Sequence, residues 1–205
     1  KIEEGTNMCR IMPGKDDDTA FYAETAIHRV PDPENPDKVK NVHCRKVHNE
    51  ECPLCEAYYA MWKLSDGANT EEAKDEFKAR ARKLKPGKRF YLNSVNVGQD
   101  SPREVKILSV GIKIFEKILG AILDEDYGDI TDFKSGHDFK IIKKSVGLDW
   151  PNYDQSAPRP KPSKAGSDQE TAAWMESLHD IHGLVKLEEY AEVKSFAMTA
   201  LPEVF

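Results

Sequence analysis

Three cysteines lie in one short stretch of the chain, Val42–Cys55 (VHCRKVHNEECPLC). Cys52 and Cys55 form a C-x-x-C pair, and Cys44 lies eight positions upstream. Two thiolates three residues apart can hold one tetrahedral zinc ion from a single turn, and Pro53 between them restricts that turn. The spacing therefore predicts a zinc site that ties a loop-rich segment together, with one ligand still to be identified.

Three nearby histidines are candidates for the fourth ligand. His43 adjoins Cys44, so in an extended backbone its side chain points to the opposite face, and it is the least favoured. His48 lies midway between the first two cysteines and could bind locally, whereas His28 would join a preceding strand to the cluster. Spacing alone slightly favours His48. A closed site with four protein ligands leaves no position for catalysis, so the zinc is expected to be structural.

Two other uses of the cysteines fit less well. A redox C-x-x-C pair is expected in a thioredoxin-like βαβ setting and leaves Cys44 unexplained. A disulfide framework is typical of secreted chains. The fourth cysteine, Cys9, lies in an apolar stretch and is predicted to be a buried strand residue.

Composition is that of a polar globular chain. The 205 residues suit one domain, or one domain with a subdomain, and 39% of them are hydrophobic and 32% charged. We find no apolar run near the roughly 18 residues of a membrane helix and no signal-peptide pattern. Reduced cysteines suited to a metal then favour a cytosolic setting.

The charge is unevenly distributed along the chain. The formal net charge is −6, yet Lys78–Tyr91 (KARARKLKPGKRFY) contains no acid and Lys140–Lys144 (KIIKK) is a second basic group. Acids gather in Asp16–Asp18, Glu71–Glu76, Asp124–Asp132 and the C-terminal third. A basic run is often only a solvated helix face, but this segregation predicts a local positive surface on an acidic protein.

Apolar periodicity and turn signals predict a mainly β chain with inserted helices. Strands are predicted over Asn7–Met12, Phe21–Val30, Lys88–Val97, Val105–Val110, Ile130–Phe133 and Asp138–Val146. Helices are predicted over Glu56–Leu64, Glu71–Leu84, Gly111–Leu123 and most of Asp168–Ala200. Loops or turns are predicted at Pro31–Pro36 and Gly98–Arg103.

These elements favour a five-stranded oligonucleotide-binding (OB) barrel with a zinc-binding subdomain and a helical C-terminal segment. We expect the core to span residues 1–155, with the zinc subdomain at about 28–64. A Pro-rich, extended linker is predicted at 156–167, followed by a helical segment at 168–205 that packs on the core.

Two aromatic residues, Phe90 and Tyr91, directly follow the basic Lys88 and Arg89 in one predicted strand. A groove for single-stranded nucleic acid needs cations for phosphates and aromatic rings for bases. Since successive strand residues face opposite sides, we expect Phe90 in the core and Tyr91 on the nucleic acid. Tyr58, Tyr59 and Trp62 offer further rings, and for Trp62 core packing is the favoured interpretation.

Taken in the order in which they occur along the chain, the motifs resemble those of the helix-destabilising single-stranded DNA-binding proteins of T-even phages. The resemblance rests on the opening strand (NMCRIMP, from Asn7), Ala26-Ile27-His28 before a Pro-rich hairpin, the cysteine trio, the basic-aromatic strand, and Asn152-Tyr153-Asp154. It covers most of the chain. The trio and the Asn-Tyr-Asp region are its specific parts, and the loop from Cys44 to Cys52 is shorter than the family pattern.

The resemblance implies a fourth zinc ligand and a set of DNA contacts. By the family's pattern the zinc ligands are His28, Cys44, Cys52 and Cys55, with His48 as the alternative to His28. Together with the basic runs and aromatic residues described above, the resemblance gives the expected DNA-binding residues: Tyr58, Lys85, Lys88, Arg89, Tyr91, Asn93, Lys113, Lys143 and Tyr153.

The resemblance also implies a function and a location. Such a protein coats single-stranded DNA, without sequence preference, during phage replication, recombination and repair in the cytoplasm of the infected bacterium. It implies contacts with phage replication and recombination proteins, and self-association along DNA, through a basic N-terminal arm and an acidic C-terminal tail beyond these 205 residues.

Two other classes of function were weighed. A zinc deaminase needs H-x-E followed by P-C-x-x-C, and an ATP-driven motor needs a P-loop; the chain has neither pattern, so no enzyme is predicted. The alternative is a zinc-stabilised protein-interaction module of a replication complex that does not itself bind DNA, which the acidic, helical C-terminal third favours.

Overall fold

The computed structural model describes residues 2–98, 103–145, 147 and 150–205. Most of the turn predicted at Gly98–Arg103, and the last residue of the strand predicted at Asp138–Val146, lie outside these ranges. The chain folds into two compact units. The first combines residues 2–24 with Arg89–Leu184, and the second combines Thr25–Lys88 with Val185–Phe205.

The described residues contain seven strands, five α-helices and one short 3-10 helix, Arg45–His48. The strands are β1 Gly5–Ile11, β2 Tyr22–Asp32, β3 Asn35–His43, β4 Gly87–Asn96, β5 Val105–Gly111, β6 Phe139–Lys143 and β7 Ala157–Pro158. The helices are α1 Pro53–Asp66, α2 Glu71–Leu84, α3 Ile112–Leu123, α4 Asp168–Glu176 and α5 Tyr190–Ala200. The predicted mainly β class with inserted helices is confirmed.

The first unit is built on antiparallel strands in the order β5-β4-β1-β6-β7. Central β4 pairs with β5 over Arg89–Val95 and with β1 at its other edge. The pairing among the described residues is open, with the path β3-β2-β4-β1-β6-β7 and β5 added at β4, and it shows no hydrogen-bonded closure into a five-stranded barrel.

An aromatic core covers one face of this sheet. Phe90 of β4 and Phe115 of α3 stack in parallel with ring centroids 3.8 Å apart, and Tyr22 lies 4.7 Å from Phe115. Cys9 of β1 is 8% exposed in the same cluster. Because β4 alternates, Phe90 and Leu92 enter this core while their neighbours face the other way. The predicted burial of Cys9 and Phe90 is confirmed.

A buried arginine organises the opposite face. The Arg10 side chain is fully buried and bonds Asp138 Oδ1 through Nε and Nη2 at 3.1 and 2.9 Å. Its Nη1 donates to the carbonyl of Asp132, and Nη2 also donates to the carbonyl of Ser163. One guanidinium thus joins β1 to three separate segments of the unit and satisfies groups that would otherwise be buried without partners.

The second unit packs a hairpin and three helices around its own core. Strands β2 and β3 pair in antiparallel fashion, with Ile27 opposite His43 and Asp32 opposite Asn35. The predicted Pro31–Pro36 loop is therefore a tight hairpin tip. Helix α2 begins at its N-cap Thr70, whose hydroxyl accepts from the amide of Ala73. The core includes Leu54, Leu84 and Val193, each fully buried, together with the three cysteines of the motif.

The strand predicted at Ile130–Phe133 is wrong, since this segment forms turns. Asp129 Oδ1 accepts the amide of Thr131, and Asp132 Oδ1 accepts the amides of Lys134 and Ser135. Aspartates that capture amides two or three residues ahead stabilise turns at the expense of strand pairing.

The segment predicted as a linker is extended, and it is attached to the first unit along its length. Ala157 and Pro158 pair with β6. The amide of Arg159 bonds the carbonyl of Asp138, and that of Ser163 bonds the carbonyl of Gly136. After it, α4 belongs to the first unit and α5 to the second, so the compact units are assembled from non-consecutive segments.

In the described part of the chain, no helix has the length and apolar character needed to cross a membrane.

Replacing Arg10 with Met should destabilise the first unit by about 3–5 kcal/mol, because the Asp138 carboxylate would remain buried without its partner. Urea unfolding followed by circular dichroism measures the effect. Lys164→Met removes an exposed pair with Asp168 and should leave the unfolding midpoint unchanged. Equal stabilities of the two variants would show that the Arg10 network does not hold this face together.

Candidate metal centre and nucleic-acid interface

The second unit brings one histidine and three cysteines into a single buried cluster. His28 comes from β2, Cys44 follows β3, Cys52 is the N-cap of α1 and Cys55 lies in the first turn of that helix. Their ligand atoms all lie within 4.8 Å of one another. All four residues are at most 5% exposed, so the cluster is closed to bulk water.

The distances fit a tetrahedral site. Cys44 Sγ lies 3.4 Å from Cys55 Sγ, and His28 Nε2 lies 3.5 and 3.6 Å from the sulfurs of Cys52 and Cys55. With Zn–S bonds of about 2.3 Å and Zn–N bonds of about 2.0–2.1 Å, tetrahedral geometry separates neighbouring donor atoms by roughly 3.5–3.8 Å. The four donor atoms could therefore hold one metal ion with little rearrangement.

A backbone carbonyl orients the histidine. His28 Nδ1 donates to the carbonyl oxygen of Leu84, the last residue of α2, at 2.6 Å. That bond places a ring proton on Nδ1 and directs Nε2 towards the sulfurs, the orientation typical of histidine ligands. The end of α2 is thereby connected to the cluster.

The acid–base properties of the cluster reflect its crowding. Burial lowers the pKa of His28, but hydrogen bonds from Cys44 and Cys52 outweigh it and raise the pKa to about 9. Hydrogen bonds from Cys44 and Cys55 lower the pKa of Cys52, whereas those from Cys44 and Cys52 raise the pKa of Cys55. Of Cys52 and Cys55, Cys52 is therefore the thiol that ionises more readily. A bound cation would favour ionisation of all three, because metal ligands must be deprotonated.

The other two histidines lie outside the cluster. His43 Nδ1 and His48 Nε2 lie 3.0 and 3.5 Å from the hydroxyl of Thr25. The structure thus groups the cysteines with the more distant His28 instead of His48, which spacing alone slightly favoured.

In the first unit, the face of β4 opposite the aromatic core carries Arg89 and Tyr91, both partly exposed. Across the β4–β5 pair, Arg89 is opposite Gly111 and Tyr91 is opposite Ser109. A Cβ added to Gly111 would lie 3.8 Å from Arg89 Nη1, so the guanidinium extends over this side-chain-free position. A cation and an aromatic ring therefore lie side by side on an open sheet surface.

Partial burial raises the pKa of the Tyr91 phenol, opposed by the charge of Arg89. The ring therefore stays neutral at physiological pH and keeps its hydroxyl proton. A neutral ring next to a guanidinium is suited to an aromatic ligand that carries a negative charge.

Asn93 belongs to the same face of β4 but is 5% exposed. Its side-chain amide donates to the carbonyl of His179, and its side-chain oxygen accepts the amide of His179, each at 3.0 Å. The imidazole of His179 in turn lies 3.0 Å from the carbonyl of Val105. Asn93 thus holds the segment around His179 over the second half of β4. Its geometry is that of a residue that positions this segment.

The remaining residues of the predicted DNA set are distributed over both units. In the first unit, Lys113 is exposed at the start of α3, Lys143 is partly exposed in β6, and Tyr153 packs partly on the aromatic core. In the second unit, Lys85 and Lys88 are exposed, and Tyr58 packs partly on the core next to Tyr59 and Trp62.

Sequence analysis missed two residues that shape these sites, Leu84 and His179. Leu84 acts through its backbone carbonyl, which no side-chain pattern can indicate. His179 bonds a residue 86 positions away, and only the fold brings the two together.

Comparison with known proteins gives one result that covers nearly the whole chain. A search of curated proteins finds no match. The family model described as gp32 DNA-binding protein-like matches residues 3–201, which confirms the resemblance found in the sequence. The chain belongs to the family of gp32-like DNA-binding proteins.

Proposed function

We propose that this protein binds single-stranded DNA without sequence preference and has no enzymatic activity. The observation that carries the proposal is the open face of β4, where Arg89 and Tyr91 lie side by side. Membership of a DNA-binding family supports it. In this function the protein coats and protects exposed strands during phage DNA replication, recombination and repair.

The physical basis is the chemistry of an unpaired nucleotide. Its base has an apolar aromatic face and its phosphate a negative charge, and a guanidinium next to an aromatic ring matches both. Every base has such a face, so stacking does not depend on sequence. Duplex DNA keeps its bases stacked on one another, so Tyr91 would contribute little to duplex binding.

The other predicted residues, in either unit, are proposed to bind DNA as well. Exposed Lys113, Lys85 and Lys88 are suited to phosphates, and Lys143 has the same chemistry in β6. Tyr153 and Tyr58 are proposed to add aromatic surface at their exposed edges. Asn93 serves the same function indirectly, by holding the His179 segment beside the open face.

For the metal centre we propose one structural zinc ion held by His28, Cys44, Cys52 and Cys55. Three thiolates and one imidazole in a tetrahedral arrangement are a donor set typical of structural zinc. Bound there, the ion would join β2, the end of β3 and α1, and through Leu84 the end of α2. It would stabilise the second unit and supply no open coordination position for catalysis.

We further propose that the antiparallel strands of the first unit form the OB-type core of the family. The expected setting is the cytoplasm of an infected bacterial host. Contacts with phage replication and recombination proteins, and self-association along DNA, belong to the same proposal.

The first experiment compares binding to oligo-dT and to a duplex of equal length over a range of salt concentrations. Strong binding to the single strand that weakens with salt is expected, since phosphate contacts release counterions. Equal affinity for both would indicate a general basic surface. Binding to neither at low salt would favour the alternative, a zinc-stabilised protein-interaction module.

Replacing Tyr91 with Ala should weaken oligo-dT binding by roughly 1–3 kcal/mol, the contribution of one stacked base. Fluorescence anisotropy of labelled oligo-dT measures it. Tyr127→Ala is the matched control, because Tyr127 is also partly exposed in the first unit but lies beside Asp126 and Asp129, which repel phosphate. Similar losses in both variants would rule out stacking on Tyr91.

Replacing Arg89 with Gln should remove one phosphate contact and reduce the slope of log affinity against log salt by about 0.7, the value for one contact on a single strand. Lys134→Gln is the control, because Lys134 is exposed in the same unit and adjoins Asp132 in a turn. An unchanged slope in the Arg89 variant would show that this guanidinium does not contact phosphate.

Replacing His28 with Ala should abolish stoichiometric zinc and destabilise the second unit, because metal binding in such a cluster contributes directly to folding. Elemental analysis and thermal melting with and without a chelator provide the readouts. His48→Ala should keep both zinc and melting temperature. Zinc retained in the His28 variant but lost in the His48 variant would reassign the fourth ligand.

A further inference from the structure

A surface cavity of about 460 Å³ lies within the first unit. One wall comes from the turns between α3 and β6, and the other from the Pro-rich segment that pairs with β6. The cavity shares no residue with the metal cluster or with the predicted DNA-binding set. A volume of this size accommodates a small organic molecule. Its polar lining includes Asp126, Tyr127, Asp129, Asp132 and His137.

Backbone hydrogen bonds hold the two walls in place. The amide of Gly136 donates to the carbonyl of Asp132 at 2.9 Å, and that of His137 donates to the carbonyl of Ile130 at 3.1 Å. On the Pro-rich side, the amide of Ser163 donates to the carbonyl of Gly136 at 3.0 Å. A Cβ added to Gly136 would lie 2.3 Å from the Asp132 carbonyl oxygen, so this close approach requires glycine. The cavity is therefore formed before a ligand enters, which lowers the cost of ordering on binding.

His137 carries a buried hydrogen-bond acceptor that has no partner. The residue is 4% exposed, and its Nδ1 donates to the carbonyl of Arg159 at 2.6 Å. Since a carbonyl only accepts, Nδ1 holds the ring proton and Nε2 of the neutral ring is an acceptor that faces away from Arg159. Among the described residues no group bonds Nε2, and His137 lines the cavity. An N–H donor bound in the cavity would satisfy this acceptor, which is costly to leave unpaired.

The cavity also carries negative charge that no side chain neutralises. Within the ranges that the structure describes, no lysine or arginine forms an ion pair with Asp126, Asp129 or Asp132, and Lys161 between the two lining prolines is no exception. Hydrogen bonds from Ser135 hold the pKa of Asp132 below its usual value, so this carboxylate stays ionised at neutral pH. Unpaired carboxylates around one cavity attract a cation.

The arrangement of these groups favours an extended organic cation over a metal ion. In the described part of the chain, the side chains whose donor atoms converge as metal ligands are those of the His28 cluster, so the carboxylates of the cavity do not meet at one point. The rings of Tyr127 and His137 lie 5.2 Å apart and nearly perpendicular, and a tyrosine face attracts ammonium groups. Pro160 and Pro162 add apolar surface for methylene groups. Prolines have no N–H to offer a peptide backbone, so this wall is less suited to a protein segment.

We propose that this cavity binds an organic di- or polyamine. Its ammonium groups would contact the carboxylates of Asp126, Asp129 and Asp132, and one N–H would donate to Nε2 of His137. The inference goes beyond the proposed function and does not depend on it, because the ligand is a small cation and the residues that bind it are outside the DNA-binding set.

Isothermal titration calorimetry with spermidine at low salt tests the proposal, and one molecule is expected to bind each chain. Asp126→Asn should weaken binding by about 2- to 5-fold, the equivalent of one exposed ion pair, and adding Asp129→Asn should weaken it further. Asparagine keeps the side-chain oxygen that accepts the amide of Thr131, so urea unfolding should be unchanged. Glu116→Gln is the matched control, because Glu116 is an exposed carboxylate of α3 outside the cavity; it should bind spermidine as the unchanged protein does.

Proton NMR of the His137 and Tyr127 rings localises the ligand. Spermidine should shift both sets of resonances, and butylamine, which has one ammonium group, should bind more weakly. Unshifted ring resonances would overturn the proposal, as would equal weakening in Asp126→Asn and Glu116→Gln, which would show that spermidine only follows the net negative charge. Displacement of spermidine by an equal concentration of Mg²⁺ would identify a general cation site instead. Tighter binding of trilysine than of spermidine would assign the cavity to a protein partner and would equally overturn the proposal.

Discussion

The alternation of side chains along β4 is the constraint on which the first unit depends. A strand presents successive residues to opposite faces, so β4 has to satisfy two environments at once. Phe90 and Leu92 enter the aromatic core beneath α3, which obliges Arg89 and Tyr91 to face the other side. A shift of one residue would place the guanidinium in the core and a phenylalanine in water. The same packing that stabilises the sheet therefore sets the chemistry of its open face.

Buried polar contacts decide where that open face ends. Farther along β4, Val95 is fully buried in a small cluster with Trp174 and Ala165, and Asn93 bonds both backbone groups of His179. On neighbouring β1, Arg10 holds the segment around Ser163 in place. These contacts are fully satisfied and enclosed, so they specify one arrangement of the covering segments. The exposed part of β4 is left as a short, rigid surface.

The second unit relies on a different source of stability. Its core combines apolar side chains with three cysteines whose sulfurs lie close to one histidine. Three buried thiols and an imidazole in mutual contact are poor packing partners compared with leucine or valine, whereas a bound cation would convert them into strong bonds. In this interpretation the metal centre replaces part of a hydrophobic core. It also explains why residues as distant in sequence as His28 and Cys55 converge.

Local patterns in the sequence were sufficient for much of this description. The extents of α2 and α3, the basic-aromatic strand and the C-x-x-C pair are local signals, and each appears where predicted. The strand predicted at Ile130–Phe133 failed because two aspartates capture nearby amides and turn the chain. A short segment in which single apolar residues alternate with aspartates is ambiguous from sequence alone, since the same residues serve a buried turn or a short strand.

What the sequence by itself determined was the set of chemical groups: thiolates and histidines for a metal, and cations with aromatic rings for a nucleic acid. Tertiary structure decided which of them meet. It grouped His28 instead of His48 with the cysteines, made Asn93 a buried partner of His179, and attached the Pro-rich segment to the first unit. The reason is physical, because each outcome depends on contacts between residues far apart in the chain. Such contacts form only after the strands have paired and the cores have closed.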